Sequence, residues 1–483
     1  MEAVPDTDSL SRFGYRQELR RTLSLAAGIG IAFCDISPVV GVYTLFGYGL
    51  ATGGPSFIWG VPIVLAGQLL VALVFCELVV AYPLSGSLYQ WARRLVGPRY
   101  GWFVGWIYGW ALIITLAAVD LGAAPLMATA FGIDASRHNL AWLGALVVVG
   151  HTIFNSAGLR GTMLVTGAGV AIEIAATLVL GGALLFGPGA LQPASILLSR
   201  QTASGTADGA AFLASILALA WIFYGFESAA DIAEEIVEPQ RRVPRAMVWS
   251  LLSSAAVTVF LLVALILATA DMAKATANPA LTIPYILAAH FGPALSRLLV
   301  VLLVLAYFSC GGAVQVAAAR LIYSYARDGM LPGSEWLRQV SPRRRAPVNA
   351  ILFSAFASLL VIAASGLDVG SVSITTLVAS YAVVGMYLSY QSVVLARLIA
   401  VRRRWTSDTP PGHFSLGRWG VPVAAAALTY GLAMIVNLCW PRPAGTIAGW
   451  LTLGAAAAIL VPGLVIVLLR NGLPVKELAP ADS

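Results

Sequence analysis

Apolar runs of eighteen residues and more follow one another along this chain, with only short polar breaks between them. An α-helix needs roughly 20 apolar residues to cross about 30 Å of hydrocarbon, and it satisfies its own backbone groups on the way. Twelve such runs can be marked, at 23–50, 57–82, 101–131, 139–156, 161–187, 209–234, 246–270, 293–320, 347–366, 370–399, 419–438 and 446–469. Hydrophobic residues make up 59% of the 483 and charged residues only 11%, against about 25% charge in a soluble domain. A chain so apolar cannot cover its own surface with polar groups. That excludes a soluble enzyme, a disordered chain and a disulfide scaffold. The expected fold class is all-α integral membrane, with twelve transmembrane helices.

The basic residues set the orientation. With the N-terminus in the cytoplasm, all but five of the 29 Lys and Arg fall in inner segments, the exceptions being Arg137, Arg200, Lys274, Arg297 and Arg442. Such asymmetry puts both termini in the cytoplasm, and the expected location is the plasma membrane, crossed many times. It also explains the net charge of +7 without nucleic acid, because basic loops face an anionic leaflet. The first residues are polar, with Asp6, Asp8 and Glu18, and lead into a run too long for a signal-peptide core, so no cleavable signal is expected. Cys34, Cys76, Cys310 and Cys439 lie inside apolar runs without metal or redox spacing. No phosphate-binding glycine loop and no nucleophilic constellation stands out either. The expectation is therefore no catalytic residue, no metal and no cofactor.

An ionisable group at membrane depth costs about 2.5–3.5 kcal/mol on insertion scales, so each one needs a reason. The acids at such depth are Asp35, Glu77, Asp120, Glu173, Glu227 and Asp231, with His151 the one histidine. Asp35 lies about 18 Å into the first run at 1.5 Å per residue, near the midplane. It sits in Cys34-Asp35-Ile36-Ser37-Pro38, where the proline removes a backbone hydrogen bond and disfavours helical geometry at Ser37. Two readings follow: a kink with Asp35 bonded to a hydroxyl, or a broken helix whose freed groups meet a ligand. The sixth run carries the companion feature, Tyr224-Gly225-Phe226-Glu227 followed by Asp231. Glu227 could cap the second half-helix, face a ligand, or do both. Broken helices at corresponding places of two five-helix halves point to a midplane transport site.

The other acids read more plainly. Glu77 suits a gate or a loop ion pair, and Asp231 an inner vestibule or a salt bridge with the arginine loop. Glu173 reads as a hydrogen-bonded interior group and Asp120 as a site-lining or proton-carrying acid. Ser309-Cys310-Gly311-Gly312 reads as helix packing, and Thr282–Leu287 as a short re-entrant or surface helix.

Around these acids runs an ordered set of short motifs. Gly53-Gly54-Pro55 with Trp59 comes first, then Glu77, Ala81-Tyr82-Pro83 and Ser85-Gly86-Ser87-Leu88-Tyr89-Gln90-Trp91. Gly225-Phe226-Glu227 leads into Glu234-Glu235 and Pro239-Gln240-Arg241-Arg242-Val243-Pro244-Arg245-Ala246, and Arg320, Tyr323, Ala326-Arg327-Asp328-Gly329 and Pro332 close the series. From about Leu23 to Leu469 the chain resembles the amino acid–polyamine–organocation superfamily, and within it the amino acid/choline transporter family of GABA- and choline-type permeases. The resemblance implies a leucine-transporter-like 5+5 inverted repeat with two appended helices, worked by alternating access. It divides the chain into a cytoplasmic tail 1–22, repeat one 23–187, an outer loop 188–208, repeat two 209–400, a cytoplasmic linker 401–418, helices eleven and twelve at 419–469, and a cytoplasmic tail 470–483. It further implies that the first break receives a substrate carboxylate and the sixth-helix break its amine. That implicates Ile36, Ser37 and Gly41, then Tyr224, Gly225, Phe226 and Glu227.

Asp35 joins this substrate-binding set on charge, since a carboxylate in the break repels an anionic headgroup and attracts an amine. At ~4 Å and an effective dielectric of ~20, one carboxylate–ammonium contact is worth about 4 kcal/mol before desolvation. The expected function is a secondary active transporter moving an amino acid or small amine. The proton is the expected coupling ion, carried by Asp35, Asp120 or Glu227, because burial favours a protonated carboxyl. Sodium is the alternative ion, and exchange of an amino acid for an amine is the alternative mode. A non-transporting amine sensor would need a signalling surface that no soluble segment provides, and a channel would need rings of like residues. A monomer and a homodimer both fit.

Overall fold

A computed structural model describes residues 10–187, 191–202, 205–365, 374–403, 405, 411–440 and 446–469. Asp6, Asp8, Arg404, Arg442, Arg470, Lys476, the tail 470–483 and the adjoining ends of the ninth and tenth runs lie outside the described residues.

The first apolar run forms two helices, α1 (Leu25–Ile36) and α2 (Pro38–Gly53). Through a 3-10 turn at Pro55–Gly60 the chain enters α3 (Val61–Ala81), then α4 (Ser87–Leu95), α5 (Pro98–Phe131), α6 (Arg137–Ser156) and α7 (Leu159–Phe186). The sixth run is also split, into α8 (Gly209–Ile222) and the single turn α9 (Ser228–Asp231). There follow α10 (Pro239–Ala268), α11 (Met272–Ala277), α12 (Thr282–Arg327), α13 (Ser334–Leu337), α14 (Val348–Ser365), α15 (Ile374–Arg402), α16 (Gly420–Cys439) and α17 (Thr446–Leu469). Among the described residues nine helical stretches are long and apolar enough to cross a membrane. Three of the expected runs are not among them: the fourth, whose helix α6 carries His138, Asn139, His151 and Asn155 among its apolar residues, the sixth, whose helix stops at Ile222, and the twelfth, whose described apolar stretch begins at Ala456.

Local sequence explains the ends. Ser24, Ser136, Asp208 and Asp271 each accept a backbone N–H three residues on, satisfying donors that a helix start leaves free. Pro38, Pro98 and Pro239 stand at first turns, where their missing N–H costs nothing. Three details depart from the sequence reading. The motif Ser87–Leu95 is itself helical, the outer loop carries a two-residue hairpin of β1 (Gln201–Thr202) and β2 (Gly205–Thr206), and the Thr282 helix runs on into the eighth span across a kink at Gly292, whose φ is 69°. Only glycine takes that φ without strain.

α5 forms the axis, with α12 and α15 packed along it; α1 packs on α10, and α2 on α8. Side chains that face away from this core are as apolar as those within it, for example Ile153, Leu164, Phe186, Phe356 and Leu464. Water could not solvate such a belt, whereas hydrocarbon can.

One end of the bundle is tied by buried ion pairs. Arg93 meets Asp328 at 2.6 Å, Arg320 meets Glu235 at 2.9 Å, Arg327 meets Glu234 at 2.9 Å and Arg397 meets Glu77 at 2.7 Å. The last gives Glu77 an ion pair, made to helix α15 and not to a loop as the sequence suggested. The segment before α1 lies across this end: Tyr15 donates to Asp328 at 2.8 Å, and Leu23 pairs with Ile236 as a parallel bridge. Removing one partner of a buried pair strands the other charge, at a cost of about 3–5 kcal/mol, while replacing both with apolar groups is often neutral. Arg320→Met is therefore expected to lower the melting temperature in detergent, and Arg320→Met with Glu235→Leu to recover most of it. Equal melting of the single variant and wild type would contradict this.

Candidate functional site

The two interrupted helices meet. Ser37 ends α1 and begins α2 with φ 36° and ψ 85°, a left-handed geometry rare for a residue with a side chain. Its Oγ accepts from Val40 N at 3.2 Å, which secures the start of α2. Across from it, Gly225 separates α8 from α9 at φ 102°. A Cβ on Gly225 would lie 2.6 Å from Asp35 Oδ1 and 3.2 Å from the Asp35 carbonyl carbon. Glycine is thus required twice over, by φ and by space. Gly41 allows a second close approach, since its Cβ would fall 2.8 Å from Ile222 Cγ1. Ile36 is buried at the last turn of α1.

Asp35 is buried with neither carboxylate oxygen hydrogen-bonded. The hydroxyl that neighbours it, Ser228 Oγ, donates to the Gly225 carbonyl at 2.8 Å instead, so the kink reading, with Asp35 satisfied by a hydroxyl, is not what the structure contains. Glu227 and Asp231 are its charged neighbours, and neither of them pairs with a basic side chain among the described residues.

Glu227 does not cap α9, whose first turn has no side-chain cap. Its carboxylate turns to a collar of tyrosines instead. Tyr390 donates to Oε2 in a short hydrogen bond and accepts from Gly225 N at 3.1 Å, so one hydroxyl fixes both the acid and the break. The Tyr108 hydroxyl lies 3.1 Å from Glu227 Oε1 and 2.6 Å from Asp231 Oδ2. Asp231 also accepts from Ser87 Oγ at 2.6 Å. The arginine-loop salt bridge expected for Asp231 is absent among the described residues: Asp231 is buried on Ser87 and Tyr108, and within the loop Arg242 pairs with Glu238 at 3.1 Å. Tyr224 shares a hydrogen bond with Thr115 at 3.2 Å, and Phe226 packs with Phe75 and Tyr390 at ring distances of 6.0 and 5.5 Å.

Asp120 points elsewhere. It bonds His151 Nε2 at 3.1 Å, and His151 Nδ1 faces Gln315 Oε1 at 3.2 Å, both side chains fully buried. Gly311 gives this pair room, since a Cβ there would lie 2.6 Å from Asp120 Oδ1, in keeping with a packing role for the Ser309–Gly312 stretch. Glu173, expected to be hydrogen-bonded, has no partner for either oxygen. Of the sequence-based set, then, the fold gathers Asp35, Ile36, Ser37, Tyr224, Gly225, Phe226 and Glu227 about one junction, seats Gly41 under Ile222, and sends Asp120 to a separate buried pair.

Tyr108, Tyr390, Thr115 and Phe75 line the same junction and are not singled out by the sequence, and Ser87 joins them from a motif that carried no site role there. A buried phenol must find a partner for its hydroxyl; two tyrosines deep in apolar runs were the available sign.

The geometry describes a multi-pass protein whose two unwound helices gather Asp35, Glu227 and Asp231 with no basic side chain paired to them among the described residues. The amino acid permease family profile matches residues 23–465. Amino-acid permease BAT1 of Arabidopsis thaliana is 25% identical over 472 residues, covering 91% of this chain and 90% of that one. Its homolog in Oryza sativa subsp. japonica is 26% identical over 461 residues, covering 89% and 87%. Thiamine transporter thi9 of Schizosaccharomyces pombe is 24% identical over 482 residues, covering 90% and 80%. These likenesses run through both interrupted helices and nearly end to end, and the chain belongs to the amino acid permease family, as a permease-type membrane transporter and not an enzyme.

Proposed function

We propose that this permease carries a small amine-bearing solute, an amino acid or an amine, by secondary active transport coupled to the proton. One observation carries the reading: Asp35, with both oxygens unbonded, faces Gly225 in a group of three acids that contains no basic side chain among the described residues. An ammonium group supplies the charge and the donors that this group lacks. The relatives' names fit such chemistry, since an amino acid bears an ammonium and thiamine a cationic ring. Where the substrate also has a carboxylate, the α1–α2 break beside Ile36 and Ser37 receives it, at the positive end of α2. Tyr224, Phe226 and Phe75 wall the apolar side.

In this reading the chain crosses the plasma membrane twelve times. Residues 23–187 and 209–400 form the two inverted repeats, 188–208 the outer loop, 401–418 the cytoplasmic linker, and 419–469 the appended pair. The arginine-rich end is cytoplasmic together with the tails 1–22 and 470–483. The four buried ion pairs and the segment before α1 close that end. A narrow crevice lined by Tyr43, Thr44, Tyr48, Gly122 and Pro125 marks the approach from the other. Alternating access reverses the two.

In proteoliposomes, an amine substrate is expected to accumulate when a proton gradient is imposed and to stop when an uncoupler collapses it. Accumulation unmoved by the uncoupler and driven by sodium alone would overturn the coupling.

A further inference from the structure

Two buried acids among the described residues have neither oxygen hydrogen-bonded, Asp35 and Glu173. Asp35 belongs to the substrate site. Glu173 has no place in it. The other deeply buried acids have partners: Glu77, Glu234, Glu235 and Asp328 have arginines, Asp120 has His151, and Glu227 and Asp231 have tyrosine hydroxyls.

Glu173 is fully buried near the middle of α7, one turn beyond Gly169, where a Cβ would lie 3.2 Å from Cys34 Sγ of α1; the Ser37 hydroxyl and the Val39 N–H turn toward its carboxylate without completing a hydrogen bond. Both stand at the start of α2. Ser37 Oγ already accepts from Val40 N at 3.2 Å, so its own hydrogen is left to donate. Val39 supplies a first-turn N–H, which no helical carbonyl can satisfy. The positive end of a 16-residue helix is thus aimed at an unpaired carboxylate. The titratable groups that face Glu173 are the Cys34 thiol from α1 and the Cys310 thiol from α12. α2 carries no charged residue and α10 none beyond Arg245, while His151 of α6 is bonded to Asp120.

Hydroxyls continue from this point. α10 runs parallel to α1, with Leu23 bridged to Ile236 and Gly28 set against Ala246. About two turns further along lie Ile36 on α1 and Ser254 on α10. From the other side, Gly181 of α7 meets Phe260 of α10, and about two turns back lie Glu173 and Ser254. Ser254, Thr258 and Thr177 are buried at this depth with their hydroxyls unbonded.

We propose that Glu173 is a proton-binding group of the transport cycle, placed behind the α1–α2 break on the side away from Gly225. This rests on the proton-coupled reading above. Ionised, Glu173 takes the Ser37 hydroxyl and the Val39 N–H and holds the start of α2. Protonated, it releases both, and the break is free to move. One O–H bond forms when the proton arrives from one side of the membrane and breaks when it leaves for the other, with no other bond changed. The charge on Glu173 thereby sets the position of the same segment whose other face meets the substrate.

The test uses the full chain in proteoliposomes, with Glu173→Gln and Glu173→Asp beside wild type. Glu173→Gln is expected to keep substrate exchange between preloaded vesicles and medium, lose gradient-driven accumulation, and lose the pH dependence of exchange; Glu173→Asp is expected to restore part of both. By infrared spectroscopy, the protonated-carboxyl band that titrates in wild type is expected to be missing from Glu173→Gln. Accumulation and a pH profile unchanged in Glu173→Gln would overturn the assignment. So would loss of exchange in both variants with lowered melting temperature, which marks a structural carboxyl. If wild type itself ignores the proton gradient, the coupling reading fails; the infrared band then decides Glu173 alone, and its retention in Glu173→Gln overturns the assignment.

Discussion

Gly225→Ala is expected to abolish transport while leaving the protein folded and inserted. The residue holds φ 102°, and a Cβ would stand 2.6 Å from Asp35 Oδ1 and 3.2 Å from the Asp35 carbonyl carbon. Backbone strain of this kind costs of order 1–3 kcal/mol. The contact adds to it, because the carbonyl carbon belongs to the α1 backbone and cannot swing aside as a side-chain tip can. Relief comes only by parting α1 from the α8–α9 junction, which takes Asp35 away from Glu227. A loss of about 3 kcal/mol at the transition state is a loss of roughly a hundredfold in rate, and here strain and lost geometry combine. The matched control is Gly167→Ala on α7, where a new Cβ meets nothing within 4 Å and the backbone is helical. Uptake rates per inserted protein decide the matter: a Gly225→Ala variant as active as Gly167→Ala would show that the two breaks need not touch.

The contrast between these two glycines shows how far the sequence could be read. Both lie in apolar runs, and only the tetrapeptide Tyr224-Gly225-Phe226-Glu227 marks the first as a break. Pro38 did the same for the first run, through the geometry it imposes on Ser37. Such signals are local, so Asp35, Ser37, Gly225 and Glu227 are legible in the sequence as one candidate site. Tyr390 and Tyr108 are not. They lie 163 and 119 residues from Glu227 in the chain, and a tyrosine in an apolar run has the same local appearance whether its hydroxyl reaches an acid or the membrane surface. Glu173 was misread for the same reason: whether a buried carboxyl finds a donor depends on what three neighbouring helices present, which periodicity does not encode. Hydropathy likewise located the sixth run but not the stop at Ile222, since an unwound stretch among buried neighbours can remain wholly apolar.

Glu227→Gln has the second-largest expected effect. The Tyr390 hydroxyl and the Tyr108 hydroxyl converge on the carboxylate, and the substitution keeps its shape while removing its charge. Hydrogen bonds to a charged group contribute about 1.5–3 kcal/mol each. The amide nitrogen also faces a phenol already committed to Gly225 N at 3.1 Å. Affinity for an amine substrate is expected to fall roughly tenfold to a hundredfold through the lost ion contact alone. Uncharged analogues of the same shape are expected to lose far less. The measurement is equilibrium binding of an amine and its uncharged analogue to wild type and Glu227→Gln. Parallel losses for both ligands would assign Glu227 to structure instead of recognition.

The most direct test of the acidic junction as an amine site is a side-by-side uptake panel with wild type and Asp35→Asn in proteoliposomes. Cationic amines, zwitterionic amino acids and GABA are compared at equal concentration and pH. The expected result is that every ligand taken up bears an ammonium group, and that Asp35→Asn removes uptake of the preferred one while the protein melts as wild type does. Uptake of the preferred substrate by Asp35→Asn at the wild-type rate, with only its pH dependence altered, would contradict a binding role for Asp35 and leave it a proton site beside the breaks.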